Sequence, residues 1–318
     1  MKPPYEISPA ILKLVSTISE KIGVINATHL TKPPTELRKK NRIRTIQSSL
    51  EIEGNTLSEK QITAILEGKP VIAPAQDILE VKNAIVVYDQ INSLNPLSIK
   101  DFLKAHNMLM VGLIENAGNF RTKNVGVVKG SKVQHLAPPG HMVSDLMKNL
   151  FGYLKTSKEI ELIKSCVFHY ELEFIHPFTD GNGRMGRLWQ TLILMKFSPV
   201  FEFLPIETII KQKQENYYKA LSDSDKVGKA TPFIEFMLGV IDEALEEVTK
   251  NQRSALTNMD RLIIFKEVIQ GKDFSRQDYL VHFKEISSAT ASRDLKFGVM
   301  EGMLLKQGDK RLTTYRYV

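Results

Sequence analysis

Apolar residues in the middle of the chain recur at helical spacing. Met185, Leu188, Trp189, Leu192 and Ile193 fall at i, i+3, i+4, i+7 and i+8, one face of an α-helix. A second stripe, Ile163, Cys166, Val167, Tyr170 and Phe174, marks the helix before it, predicted over Glu159 to Phe174. Further helices are predicted over Ile99 to Val111 and Val143 to Leu154. Upstream, residues 1 to 92 read as several helices broken at Lys32-Pro-Pro34, Gly68-Lys-Pro70 and Ala73-Pro74, where proline and glycine interrupt helical hydrogen bonding.

Two stretches depart from the helical period. Asn124 to Pro139 is rich in β-branched residues around Gly130-Ser131 and ends in Pro-Pro, which predicts a short hairpin. Beyond Met259 the pattern is a helix to Gln270, a second helix capped by Ser275, a third over Ser288 to Phe297, and two strands, Leu304-Leu305 and Thr313 to Val318, flanking Gly308 to Arg311. The expectation is three parts: 1–92, a helical region; 93–255, a helical core; 256–318, a small separate domain.

Composition narrows the class. The 318 residues are 42% hydrophobic and 25% charged, as in soluble globular proteins. No run of eighteen apolar residues is present, so no membrane span is expected. The N-terminus lacks the apolar segment of a signal peptide and the single Cys166 has no disulfide partner, which together point to the cytoplasm. Cys166 lies on an apolar stripe and reads as a buried thiol. The net charge of +7 is a mild basic bias, compatible with nucleotide or nucleic acid. Part of it sits in Arg38 to Arg44, which reads as a solvated helix face.

The chemistry is concentrated in His176-Pro-Phe-Thr-Asp-Gly-Asn-Gly-Arg-Met-Gly-Arg187. Asp180 to Gly183 forms a loop opening onto a helix N-terminus, where backbone N–H groups lack intrahelical acceptors and the helix dipole is positive. Glycines there let a polyphosphate approach the backbone. Arg184 and Arg187 lie three apart in the first turn, where the dipole disfavours cations. A multiply charged anion at this end would resolve the conflict. A histidine, with its ordinary pKa of roughly 6.5, is suited to taking a hydroxyl proton near neutral pH.

This constellation resembles the signature of the Fic family: His, any residue, Phe, any residue, Asp or Glu, Gly-Asn-Gly-Arg, two variable residues, Arg. Every fixed position is matched. The resemblance implies an all-α fold with a short β-hairpin flap, and an enzyme that uses ATP and Mg2+ to move AMP onto a Ser, Thr or Tyr hydroxyl of a target protein. Carried over, His176 is the general base and Phe178 anchors the loop in the core. Asp180 holds Mg2+; Gly181, Asn182, Gly183, Arg184, Met185 and Gly186 belong to the nucleotide-binding set; Arg187 meets the γ-phosphate. In the Doc branch, a kinase, a lysine stands where this chain has Gly183, so the glycine favours AMP transfer.

A second hallmark of the same family lies upstream. Ser49-Leu-Glu-Ile-Glu53-Gly54-Asn55 resembles the internal inhibitory helix of one Fic subclass. Ser49 and Glu53 are i and i+4, on one helix face, and Gly54-Asn55 fits a helix C-cap. The resemblance implies that Glu53 pairs with Arg187 and pushes ATP into an unproductive pose.

The resemblance also makes the hairpin the flap that aligns the target's backbone, with Val133, Gln134 and His135 lining the site. It places Tyr217 and Tyr218 beside the adenine, although an aromatic pair on a helix is more often core packing. The C-terminal pattern resembles a winged helix, whose third helix can enter a DNA groove. Residues 272–318 hold nine Lys or Arg against six Asp or Glu, a small excess that fits protein docking or a homodimer contact as well as DNA. The rival readings are an ATP-responsive DNA-binding regulator, a kinase of the same fold, and a metal hydrolase using His169 and His176.

Overall fold

A computed structural model describes residues 3–27, 35–129, 132–255, 257–284, 286–309 and 313–318. In chain order the elements are α1 (Pro9–Ala27), α2 (Thr35–Ile52), α3 (Glu59–Leu66), α4 (Ala75–Asp89), α5 (Ile99–Met110), β1 (Gly126–Lys129), β2 (Lys132–Leu136), α6 (Val143–Thr156), α7 (Glu161–Ile175), α8 (Asn182–Leu194), α9 (Ile206–Gln212), α10 (Gln214–Val227) and α11 (Thr231–Ala255). They are followed by α12 (Asn258–Ile269), α13 (Arg276–His282), α14 (Ser288–Met300), β3 (Leu304–Gln307) and β4 (Thr314–Tyr317). Two compact units result, one of Met1–Ile22 with Lys32–Leu245, the other of Gly23–Thr31 with Glu246–Val318. Most of 1–92 therefore shares a unit with 93–245, while 23–31 and 246–255 fall with the second unit.

Apart from the antiparallel pair β1–β2, the first unit is helical, as expected. Its centre is the pair α7–α8. The sequence pattern predicts one apolar face on α8, yet every residue from Asn182 to Leu194 except Gly183 is buried. The polar residues of this helix can be interior because other parts of the chain supply their partners, as set out below. Around Trp189 the core is aromatic. Phe102 meets Trp189 edge to face at 5.0 Å, Phe151 at 5.5 Å and Phe178 in a stack at 5.4 Å. Each such pair contributes roughly 0.5–1.5 kcal/mol beyond area burial. Trp189 Nε1 donates to the Pro96 carbonyl at 3.0 Å, so the indole is buried without a lost hydrogen bond.

Local signals place the ends. Ser58 and Gln61 form a reciprocal capping box at the start of α3, and the Ser98 hydroxyl caps α5. Helix α2 stops at a Schellman motif: the Asn55 N–H reaches the Leu50 carbonyl, the Gly54 N–H reaches the Glu51 carbonyl, and Gly54 has φ +97°. A left-handed residue at that position is why glycine follows Glu53. Glu53 is thus the capping residue itself, its N–H bonded to the Leu50 carbonyl at 3.0 Å. Asn55 is then tied down by Nδ2 to Glu80 at 2.8 Å and to the Asp77 carbonyl at 3.1 Å.

Within the second unit, α12, α13 and α14 are followed by the antiparallel pair β3–β4, in the order the sequence pattern predicts. Ser275 caps α13 and Ser287 caps α14. Leu262, Phe265, Phe274, Tyr279, Leu295 and Tyr317 form its core. Arg261 and Asp294 make a buried two-pronged pair at 2.6 and 2.9 Å. One contact outside the predicted pattern is a bridge between Phe274 and Tyr315. No helix among the described residues is long and apolar enough to cross a membrane.

Candidate active site

The site begins where α7 ends. His176 has φ +50°, a left-handed conformation that is uncommon for a side chain other than glycine and costs on the order of 1–3 kcal/mol. Its N–H still bonds the Leu172 carbonyl at 2.8 Å, so the backbone reverses direction without losing the helix-end bond. Five residues later Gly181, at φ +84°, opens α8. A Cβ at Gly181 would lie 2.8 Å from the Met110 sulfur; glycine is required there by both conformation and space.

The loop between them is held from inside. Phe178 is fully buried and its ring stacks on the His106 imidazole, 3.5 Å apart and 3° from parallel. His106 Nδ1 accepts from the Gly118 N–H at 2.8 Å, which leaves Nε2–H to donate to the Asp180 carbonyl at 3.0 Å. Burial pushes this histidine down to about 4, so it remains the neutral ring those two bonds need. Asn182 closes the loop: its Oδ1 accepts from the Phe178 N–H and its Nδ2 donates to the Phe178 carbonyl, both at 2.9 Å. The Asn182 side chain therefore braces the loop, while the residue still borders the cavity described next. Its backbone N–H, with those of Gly183 and Arg184, belongs to the helix start that lacks intrahelical acceptors.

These elements border a cavity of about 600 Å³ lined by Glu53, Glu173, His176, Thr179, Asp180, Gly181, Asn182, Gly183, Arg187, Gln214, Glu215, Tyr217 and Tyr218. His176, Asp180, Gly181, Gly183, Arg187, Tyr217 and Tyr218 are thus brought to one place, together with Glu53. Other expected residues are not. Met185 is fully buried, and Gly186 faces His169, 2.6 Å from where a Cβ would stand; both turn into the core and leave the nucleotide-binding set. Arg184 is 5% exposed and directed to Asp180 at 3.1 Å and Glu80 at 3.3 Å. Val133, Gln134 and His135 lie on β2, but their side chains lie outside the described residues.

Arg187 is the most enclosed charge of the site. Its Nη2 donates to Glu53 Oε1 at 2.7 Å and to the Ser49 carbonyl at 2.8 Å, and its Nε donates to Ser49 Oγ at 3.1 Å. Burial alone would lower its basicity, but the neighbouring Glu53 carboxylate raises it above the ordinary guanidinium. The two arginines that break the dipole rule at the start of α8 are therefore each answered by carboxylates of the chain itself. Gly183 lies under this pair. A Cβ there would be 2.5 Å from Glu53 Oε1.

Behind the cavity, His169 is fully buried between Gln190 Oε1 at 2.6 Å and the Tyr217 hydroxyl at 3.0 Å, and burial pushes it down to about 3. Both ring nitrogens are engaged, which removes the metal-hydrolase reading built on His169 and His176. Tyr217 is 1% exposed and serves as core packing with one edge on the cavity, whereas Tyr218 is half-buried. Glu173, Thr179, Gln214 and Glu215 line the cavity without having been expected. Glu173 had one available signal, its position four residues after His169 on α7, and Thr179 lies within the His176–Arg187 stretch itself; Gln214 and Glu215 had none.

Comparison with known proteins follows this geometry. The family described as Fic/DOC matches residues 96–194. A solved Fic family protein from Desulfovibrio desulfuricans G20 aligns over 100% of this chain and 98% of its own, with 39% identity and a TM-score of 0.77. The protein adenylyltransferase fic-1 of Caenorhabditis elegans is 32% identical over 207 residues, 60% of this chain and 38% of that protein. The protein adenylyltransferase Fic of Nematostella vectensis is 30% identical over 216 residues, 63% and 47% respectively. The chain matches less than half the length of these curated relatives.

Proposed function

The chain belongs to the Fic family, and from that membership and the geometry of its cavity we propose that it transfers AMP from ATP to a hydroxyl side chain of another protein. The observation that carries this reading is the convergence, on one cavity, of His176, the open start of α8 and Arg187. The target's hydroxyl oxygen attacks the α-phosphorus while His176 takes its proton. The bond from the α-phosphorus to the bridging oxygen breaks, and pyrophosphate leaves with the electron pair. The backbone N–H groups at the head of α8 offset the phosphate charge. Two curated relatives carry the name protein adenylyltransferase, which supports the same reaction here.

Mg2+ fits the residues present. Asp180 Oδ1 accepts from Gly181 N–H and from Arg184 Nη2 at 3.1 Å, while the side chain stays 56% exposed and keeps Oδ2 for a cation. One carboxylate completed by substrate phosphates is an ordinary Mg2+ arrangement. When bound, the metal supplies charge neutralisation at the phosphates. Asp180, fixed by those two donors at Oδ1, borders the cavity and would supply its carboxylate to the metal.

We read Glu53 as a built-in inhibitor. Its carboxylate occupies the guanidinium that would otherwise meet the γ-phosphate, and Ser49 holds the other edge of the same group. Tyr218 and the cavity edge of Tyr217 offer apolar surface for adenine. The hairpin β1–β2 offers a strand edge for a target backbone, and the second unit is read as a winged helix available for docking. A DNA-binding regulator is not favoured, because ATP sensing alone does not call for a base at His176.

The deciding experiment is incubation with ATP labelled on the α-phosphate and, separately, on the γ-phosphate. AMP transfer puts only the first label on protein. Label from the γ-phosphate alone would replace the reading with a kinase.

A further inference from the structure

Resting on the transferase reading, we infer that Arg121 is a positioning residue that locks His176 and both legs of the hairpin into one unit. Arg121 is 2% exposed, and each of its three guanidinium nitrogens donates to a backbone carbonyl. Its Nε donates to the His176 carbonyl at 2.6 Å and its Nη2 to Ile175 at 3.1 Å, covering two carbonyls at the end of α7. Its Nη1 donates to Lys123 at 2.7 Å, on the leg entering β1, and Nη2 also donates to Pro138 at 2.7 Å, on the leg leaving β2. Its own N–H bonds the Pro177 carbonyl at 2.8 Å. The planar fork of a guanidinium suits this distribution, and a single ammonium does not reproduce it.

The legs are also pinned to each other. Gly140 N–H donates to Asn124 Oδ1 at 2.9 Å, and a Cβ on Gly140 would fall 2.0 Å from the Thr122 carbonyl oxygen. Two backbones therefore touch where Arg121 clamps them. The left-handed turn at His176 stays in place because its carbonyl is held by a buried cation, and the same cation sets the distance from the base to the strand edge that would present the target. Residues 121 and 176 are 55 apart in sequence, and no local pattern joins them.

The test compares Arg121→Lys and Arg121→Ala in the full chain carrying Glu53→Gly, with auto-modification by α-labelled ATP as the readout. A displacement of about 1 Å at a reacting group costs on the order of 100-fold in rate. The expected result for Arg121→Lys is a fall in kcat of about that size with KM for ATP at the parental value, since the start of α8 and Arg187 do not hang from Arg121, and with only a modest fall in melting temperature from the carbonyls left unpaired. Arg121→Ala should lose at least as much. Amide hydrogen exchange, followed without turnover, should rise together at His176 and across β1 and β2 and stay unchanged in α8. A lysine variant with kcat within about threefold of the parent, or with unchanged exchange, overturns the inference. So does a loss of kcat matched by an equal loss of ATP affinity and melting temperature, which describes a residue that only holds the fold. If the Glu53→Gly parent transfers no α-label, it is the transferase reading that fails, and the exchange measurement alone then decides on Arg121.

Discussion

Glu53 Oε1 accepts a hydrogen bond from Arg187 Nη2 at 2.7 Å, across 134 residues of chain. The pair joins the turn after α2 to the second turn of α8, and it does so at the wall of the cavity that holds His176. If the carboxylate occupies the γ-phosphate position, removing it creates activity. Glu53→Gly is expected to raise auto-modification or target modification on the order of 10- to 100-fold, the range of ordinary coupling energies between sites. The gain should vanish in the double variant with Arg187→Ala, since residues acting through one contact are not additive. Radiolabel incorporation from α-labelled ATP measures both, and a Glu53→Gly protein no more active than the parent removes the inhibitory role.

His176→Ala should separate binding from catalysis. A general base contributes typically about 10²–10⁴-fold, while the phosphates are held by α8, Asp180 and Arg187. In the Glu53→Gly background, transfer should fall by that factor and the ATP dissociation constant, measured by calorimetry, should stay within about twofold. Transfer near the parental rate would take the base role away from His176.

Asp180→Ala should weaken the dependence on metal without touching the base. Activity is expected to drop at low Mg2+ and recover in part as Mg2+ is raised, because phosphate oxygens supply other ligands. A titration curve that superimposes on the parent's excludes Asp180 from contact with the metal.

Glu207 makes a prediction about pH and stability. It is 1% exposed in the first unit, with Tyr88 as a hydroxyl donor at 3.5 Å, and burial raises its carboxyl to about 7. A carboxyl that binds its proton more tightly when folded than when unfolded makes the fold less stable as pH rises between the two pKa values. The penalty is absent below about 4.3, the ordinary Glu value, and complete above about 7. Glu207→Gln should therefore raise the melting temperature at pH 8, by an amount corresponding to up to about 3 kcal/mol, and leave it unchanged at pH 4. Equal effects at both pH values would show that the substitution acts through packing.

The parts of the site that lie within one stretch were legible in the sequence. Helical spacing placed α8, the glycines placed its open start, and the Fic resemblance paired Glu53 with Arg187 before any contact was seen. What escaped was assembled across the fold. Arg121, His106 and Glu80 reach the loop from other elements, and a single arginine or glutamate carries no local mark of its destination. Met185 and Gly186 show the converse: position within a motif does not ensure contact with a ligand, because packing turns both into core, and the side chain of Asn182 braces the loop. Helix α8 was read as having one apolar face because its polar residues look solvated until their buried partners are known.

The end of α2 determines how the Glu53 contact can open. Gly54 closes the helix, Asn55 is tied to Glu80 and the Asp77 carbonyl, and Thr56 bonds the Asp77 carboxylate through both its N–H and its hydroxyl. The carboxylate of Glu53 therefore hangs from an anchored backbone, and its release requires rotation of one side chain rather than displacement of a helix. If Glu53 inhibits as proposed, the observed rate is the intrinsic rate multiplied by the fraction of time the side chain is swung aside. A substitution or docked protein that shifts that rotamer balance by a few tenths of a kcal/mol then adjusts output by degree, giving a graded throttle where a moving helix would give a switch.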